Sequence, residues 1–89
     1  MSKILTSAQA GTLESSDVFV SLEPHAEGLE IDIDSVVFKQ FGDDILRVVK
    51  EVLSEQEITD AKVSVVDRGA LECVLRARVE TAVLRGKGE

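Results

Sequence analysis

In the stretch Leu29-Glu30-Ile31-Asp32-Ile33-Asp34-Ser35, the aliphatic Leu29, Ile31 and Ile33 alternate with the acids Glu30, Asp32 and Asp34. Successive side chains of an extended strand point to opposite faces, so this pattern is a strand with one apolar and one acidic face. Upstream, Val18, Val20 and Leu22 alternate with Phe19 and Ser21 in the same way. Between them, Glu23-Pro24-His25-Ala26-Glu27-Gly28 carries a proline without an amide donor and a glycine, which marks a connection. The two strands are therefore expected to form a hairpin with a long loop.

Downstream the period changes. Phe38, Phe41, Ile45, Val48, Val49 and Val52 fall three or four apart, which predicts an amphipathic helix running to about Gln56. Asp34 or Ser35 can cap it, and Gly42 inside it costs about 1 kcal/mol relative to alanine. Alternation returns at Ala61, Val63 and Val65, predicting a third strand. Asp67-Arg68-Gly69 turns into a second helix in which Leu71, Val74, Leu75, Arg78 and Ala82 share a side, with Val79 flanking it and Gly86 placed to end it. Within it, Glu72 with Arg76 and Arg76 with Glu80 are spaced for i,i+4 ion pairs. Residues 1–16 are small and mixed and have no period, and are read as a flexible arm; residues 17–89 form one domain. The expectation is an α+β fold, a small two-layer sandwich in β-β-α-β-α order, with a three-stranded sheet and both helices on one face.

Composition narrows the function. The chain has 89 residues, a formal net charge of −7, 3% aromatic residues and no Trp or Tyr. A base-stacking platform and a surface for nucleic-acid phosphate backbones are both disfavoured, so nucleic acid is not an expected partner. The single cysteine allows neither an internal disulfide nor a Cys-based zinc site. No stretch is apolar enough for a signal peptide or a membrane span, and a cytoplasmic location is expected.

The candidate chemical groups are sparse. His25, the only histidine, reads as a solvated loop residue, and Cys73 as a small core residue near the start of the second helix. A small enzyme using either is the weakest reading. Glu30, Asp32, Asp34, Asp43 and Asp44 have no calcium-loop spacing and read as solvated acids. Arg76, Arg78, Arg85 and Lys87 concentrate positive charge toward the C-terminal end. They suit either a solvated helix face or a docking patch for a phosphate-bearing cofactor or an acidic partner. No self-sufficient active site emerges.

Four blocks carry a resemblance. Gly11-Thr12-Leu13-Glu14-Ser15-Ser16-Asp17-Val18 resembles the attachment segment of the citrate lyase acyl carrier (gamma) subunits. The similarity continues through 29–35 and Lys39-Gln40-Phe41-Gly42, and is strongest in Asp67-Arg68-Gly69-Ala70-Leu71-Glu72-Cys73-Val74-Leu75-Arg76-Ala77-Arg78. The resemblance implies a non-catalytic carrier in which Ser15 bears a covalently linked phosphoribosyl-dephospho-CoA group, with Ser16 the rival hydroxyl. It implies transport of acetyl and citryl thioesters between a transferase (alpha) and a lyase (beta) subunit as citrate is cleaved to acetate and oxaloacetate. A holo-synthase would attach the cofactor. Small residues such as Gly11 and Thr12 would then give these enzymes access to the backbone. The Asp-Ser-Leu signature of fatty-acid carriers is absent. A regulatory or adaptor domain, binding a partner through its sheet edge or acidic face, is the other class of function that the residues allow.

Overall fold

The computed structural model describes residues 3–36 and 38–88, without the side chains of 38–40. The expected place of Phe38 in the helix stripe and the Lys39-Gln40 part of the resemblance lie outside the described side chains. The elements are β1 (Ala8–Gly11), β2 (Val18–Glu23), β3 (Leu29–Ser35), α1 (Phe38–Glu55), β4 (Ala61–Asp67) and α2 (Glu72–Gly86).

The α+β class agrees with the sequence reading, but the sheet has four strands, in the order β1-β2-β4-β3, and not three. The additional strand is Ala8-Gln9-Ala10-Gly11, inside the stretch read as an arm. It pairs antiparallel with β2, from Ala8 opposite Leu22 to Gly11 opposite Phe19. Two alanines, a glutamine and a glycine have little β propensity and bury little surface, so the strand exists because β2 offers it an edge.

The expected hairpin of β2 with β3 does not form either. β4 lies between them, antiparallel to β2 and parallel to β3. Parallel neighbours need a long crossover, and α1 supplies it, making β3-α1-β4 a βαβ unit. Residues 24–28 accordingly link two strands that flank a third.

The inner face of the sheet presents Val18, Val20, Leu22, Ala61, Val63 and Val65, all buried. Ile45, Val48, Val49, Val52 and Leu53 of α1, with Leu75, Val79, Ala82 and Val83 of α2, complete one core against it. Phe41 departs from the expected stripe and is 49% exposed. The opposite face is polar, carrying Gln9, Ser21, Glu30, Asp32, Lys62 and Ser64 around a shallow open depression. The two helices are also joined by charge. Glu72 meets Arg47 rather than Arg76, and Arg76 reaches Glu51 and Glu55 on α1, so the expected intrahelical pairing is replaced by bridges between helices. Exposed pairs of this kind add little stability, but they bias how the helices register. Finally, the amides of Leu5 and Thr6 donate to the Gly86 carbonyl at the end of α2.

Candidate functional site

β1 and β2 are joined by Thr12–Asp17, the part of the chain that holds both candidate serines. The Asp17 amide donates to the Glu14 carbonyl at 3.1 Å, closing a four-residue turn with Ser15 and Ser16 at its centre. Ser16 has φ +64°, and a left-handed third residue is the mark of a type II turn. The Ser16 amide donates to the Arg68 carbonyl at 2.9 Å, and the Arg68 amide donates to the Asp17 carbonyl at 2.9 Å. Two residues thus oppose one, with the first left-handed: this is a G1 β-bulge at the end of the β2–β4 ladder. Glycine normally occupies that first position, and here it is serine. Ser15 stands exposed at the apex, with Ser16 exposed beside it.

Asp17 holds the base of the turn. Its carboxylate accepts from the Thr12 hydroxyl at 2.7 Å, from the Val18 amide at 2.8 Å, and from Arg78 Nε and Nη2 at 3.2 and 3.0 Å. The Thr12 hydroxyl in turn accepts from the Glu14 amide. The Thr12 hydroxyl first, then the Val18 amide and the Arg78 guanidinium, lower the Asp17 carboxyl from the ordinary 3.8 to about 2, with partial burial opposing them. A forked contact from α2 therefore grips the hairpin loop.

The neighbouring turn is fixed by a second acid. Asp67 is 3% exposed, and its carboxylate accepts from the Ala70 amide at 3.0 Å and from the Ser35 hydroxyl at 2.8 Å. Its carbonyl accepts from the Val36 amide. Two of the sequence blocks that carry the resemblance, 11–18 and 67–78, are thereby brought together although some fifty residues of chain separate them.

Gly11 acquires a structural role. It has φ +92°, and a Cβ there would lie 1.8 Å from the Val18 carbonyl oxygen. The close approach of β1 to β2 by itself requires a glycine here.

The other candidates lie elsewhere. Cys73 is exposed in the first turn of α2, contrary to its reading as a core residue. His25 is half-buried, with Nδ1 3.2 Å from the Gly28 carbonyl oxygen and Nε2 3.8 Å from Glu30. The C-terminal cations do not form a free patch. Besides Arg76 and Arg78, Arg85 donates to the Gln9 carbonyl and Lys87 to Gln56. Among the described residues, no group of three or more His, Cys, Asp or Glu could hold a metal ion, and no helix is long and apolar enough to cross a membrane. Asp17, Asp67 and Arg68 were not singled out by the sequence as site residues. An acid followed by Arg-Gly at a strand end was the available signal for the turn at Asp67.

The turn thus displays two exposed serines and is pinned both to a helix and to a neighbouring turn. Residues 5–86 match the acyl carrier family described as malonate decarboxylase delta subunit (MdcD). The fold is also found in a chain of a Pseudomonas malonate decarboxylase hetero-tetramer crystallised with malonate. That match has a TM-score of 0.81 at 24% identity and covers 94% of this chain and 87% of the other.

The curated relatives narrow the class. The citrate lyase acyl carrier protein of Cronobacter sakazakii is 55% identical over 93% of this chain and 86% of its own length. That of Haemophilus influenzae is 54% identical over 98% and 90%. The Klebsiella pneumoniae protein is 56% identical over 88% and 81%. The chain belongs to the citrate lyase acyl carrier protein family, whose members are carriers and not catalysts.

Proposed function

We propose that Ser15 is the attachment point of a phosphoribosyl-dephospho-CoA group, and that the chain carries acetyl and citryl thioesters on it within a cytoplasmic citrate lyase. Its partners in this reading are the alpha (transferase) and beta (lyase) subunits, with a holo-synthase installing the group. The group supplies a thiol that activates the acyl carbonyl; the chain supplies a tether and a fixed origin for it. The observation that carries the reading is the display of Ser15 at the exposed apex of a turn whose base is locked by Asp17. An exposed hydroxyl there can enter a modifying enzyme without unfolding the hairpin. Once loaded, the arm swings from a rigid base, which keeps the acyl group at high local concentration near two partner sites.

Ser15 is favoured over Ser16 because the backbone of Ser16 is engaged in the bulge and its φ is left-handed. Intact-mass measurement on protein made together with the citrate lyase accessory genes decides the point. Wild type and Ser16→Gly should carry the added mass, and Ser15→Ala should not. Added mass on Ser15→Ala, or its loss in Ser16→Gly, would remove Ser15 from this role. A bare wild-type chain supporting full citrate cleavage would favour the adaptor reading instead.

A further inference from the structure

Of the five arginines in the chain, four have their guanidinium groups engaged. Arg47 bonds Glu51 and Glu72, Arg76 bonds Glu51 and Glu55, Arg78 bonds Asp17, and Arg85 bonds the Gln9 carbonyl. Arg68 is the exception: its side chain is exposed and has no hydrogen bond or ion pair among the described residues. Its backbone, by contrast, is hydrogen-bonded at both its amide and its carbonyl. It exchanges hydrogen bonds with Ser16 and Asp17 across the bulge, and it follows Asp67, whose buried carboxylate ties the turn to Ala70 and Ser35. A guanidinium without a partner among the described residues is therefore carried on a hydrogen-bonded backbone opposite Ser16 and Asp17, the residues that follow Ser15.

We infer that Arg68 is a phosphate-binding residue for the group carried on Ser15, its guanidinium pairing with the phosphodiester oxygens next to the protein. This inference rests on the attachment reading above and adds a ligand for a side chain that the reading leaves unused. Three observations support it. In an antiparallel ladder, directly opposed backbones are separated by about 5.5 Å, a span that an arginine side chain covers easily. Arginine matches the oxygens of a phosphodiester through two parallel N–H donors, whereas a lysine would offer only a point charge. The acids that could compete are already committed or unpaired with it. Asp17 is held by Thr12, Val18 and Arg78, and Glu14 in the same turn makes no ion pair with Arg68. The cations that the sequence offered as a phosphate patch, Arg76, Arg78, Arg85 and Lys87, are spent on internal partners, which leaves this role to Arg68.

A contact of this kind orients the first bonds of the arm and leaves the distant thiol free to sweep. It is charge-assisted and exposed, so it weakens as salt shortens the screening length below about 10 Å.

The test uses the loaded and unloaded full-length protein, with loading verified beforehand by intact mass on Ser15. A bare mass at that stage would sink the attachment reading itself, separately from any result on Arg68. NMR then records the Arg68 Nε–H resonance in both forms and the 31P resonance of the phosphodiester in wild type and Arg68→Gln. Loading should shift the Arg68 Nε–H signal and slow its exchange about ten-fold. Arg68→Gln should move the 31P signal to its high-salt position while leaving Tm within about 2 °C of wild type, as expected for an exposed side chain. An Arg68 signal identical in loaded and unloaded protein, with a 31P shift indifferent to the substitution, would overturn the inference. So would an Arg68 signal that responds only when purified partner subunits are added, since that assigns the guanidinium to an acidic partner surface.

Discussion

Replacing Gly11 by alanine tests the central geometric claim about the β1–β2 hairpin, that β1 approaches β2 too closely for a side chain. Two separate costs arise. The first is conformational: φ is +92°, where a Cβ costs roughly 1–2 kcal/mol, partly offset by about 0.4–1 kcal/mol from a less flexible unfolded chain. The second is steric. The new Cβ would sit 1.8 Å from the Val18 oxygen and 3.0 Å from its carbon, and both are backbone atoms that cannot rotate aside. Relief requires one strand to retreat by about an ångström, which gives up the Gly11–Phe19 end of the ladder and disturbs the buried Ala10. Two lost hydrogen bonds at about 1 kcal/mol each bring the total to roughly 2–3.5 kcal/mol, a large fraction of a small domain's stability. Gly28 is the internal control, because its φ is +89° but nothing lies within 4 Å of the site of its Cβ. Gly28→Ala should cost only about 1 kcal/mol, the conformational part alone. Urea denaturation at matched slope gives both values. If the two variants shift the midpoint equally, the close approach at Gly11 is not real and its proposed role collapses.

Two other outcomes concern the same loop. Ser16 occupies a left-handed position at a bulge, so Ser16→Gly should raise stability by a few tenths to about 1 kcal/mol, and Tm with it; a lower Tm would contradict the bulge assignment. Asp17 titrates near 2 in the folded chain against 3.8 ordinarily, so its contribution is complete above about pH 4 and disappears as pH falls through 2. The difference in urea midpoint between wild type and Asp17→Asn should therefore shrink across that window, and a difference independent of pH would remove Asp17 as the anchor.

Much of the fold could be read from period alone. The strands at 18–23, 29–35 and 61–67 and both helices follow from alternation and from three- or four-residue spacing. The errors have physical causes. β1 is made of small residues whose strand state is conferred by its neighbour, so no local signal exceeds that of a loop. The hairpin expectation assumed that strands adjacent in sequence pair with each other, yet charge held a clue to the contrary. Glu30, Asp32 and Asp34 line β3 as charges protect a sheet edge, whereas β4 has Lys62 alone before an uncharged run to Val66, as suits a central strand. The serine pair was legible only through resemblance. Its anchors were not, because the contacts of Asp17 with Arg78 and of Ser16 with Arg68 depend on a β2–β4 register that no local pattern encodes.

The hydrogen bonds from Leu5 and Thr6 to Gly86 place both ends of the described chain at one pole of the molecule. The serine turn is gripped by Arg78, midway along α2, so the helix from there to Gly86 puts roughly 12 Å between the grip and that pole. A fluorophore placed beyond Gly86 would ride on the end of α2 away from the serine turn, and, if Ser15 carries the arm as proposed, energy transfer from it to a dye on the arm would report how far the arm reaches.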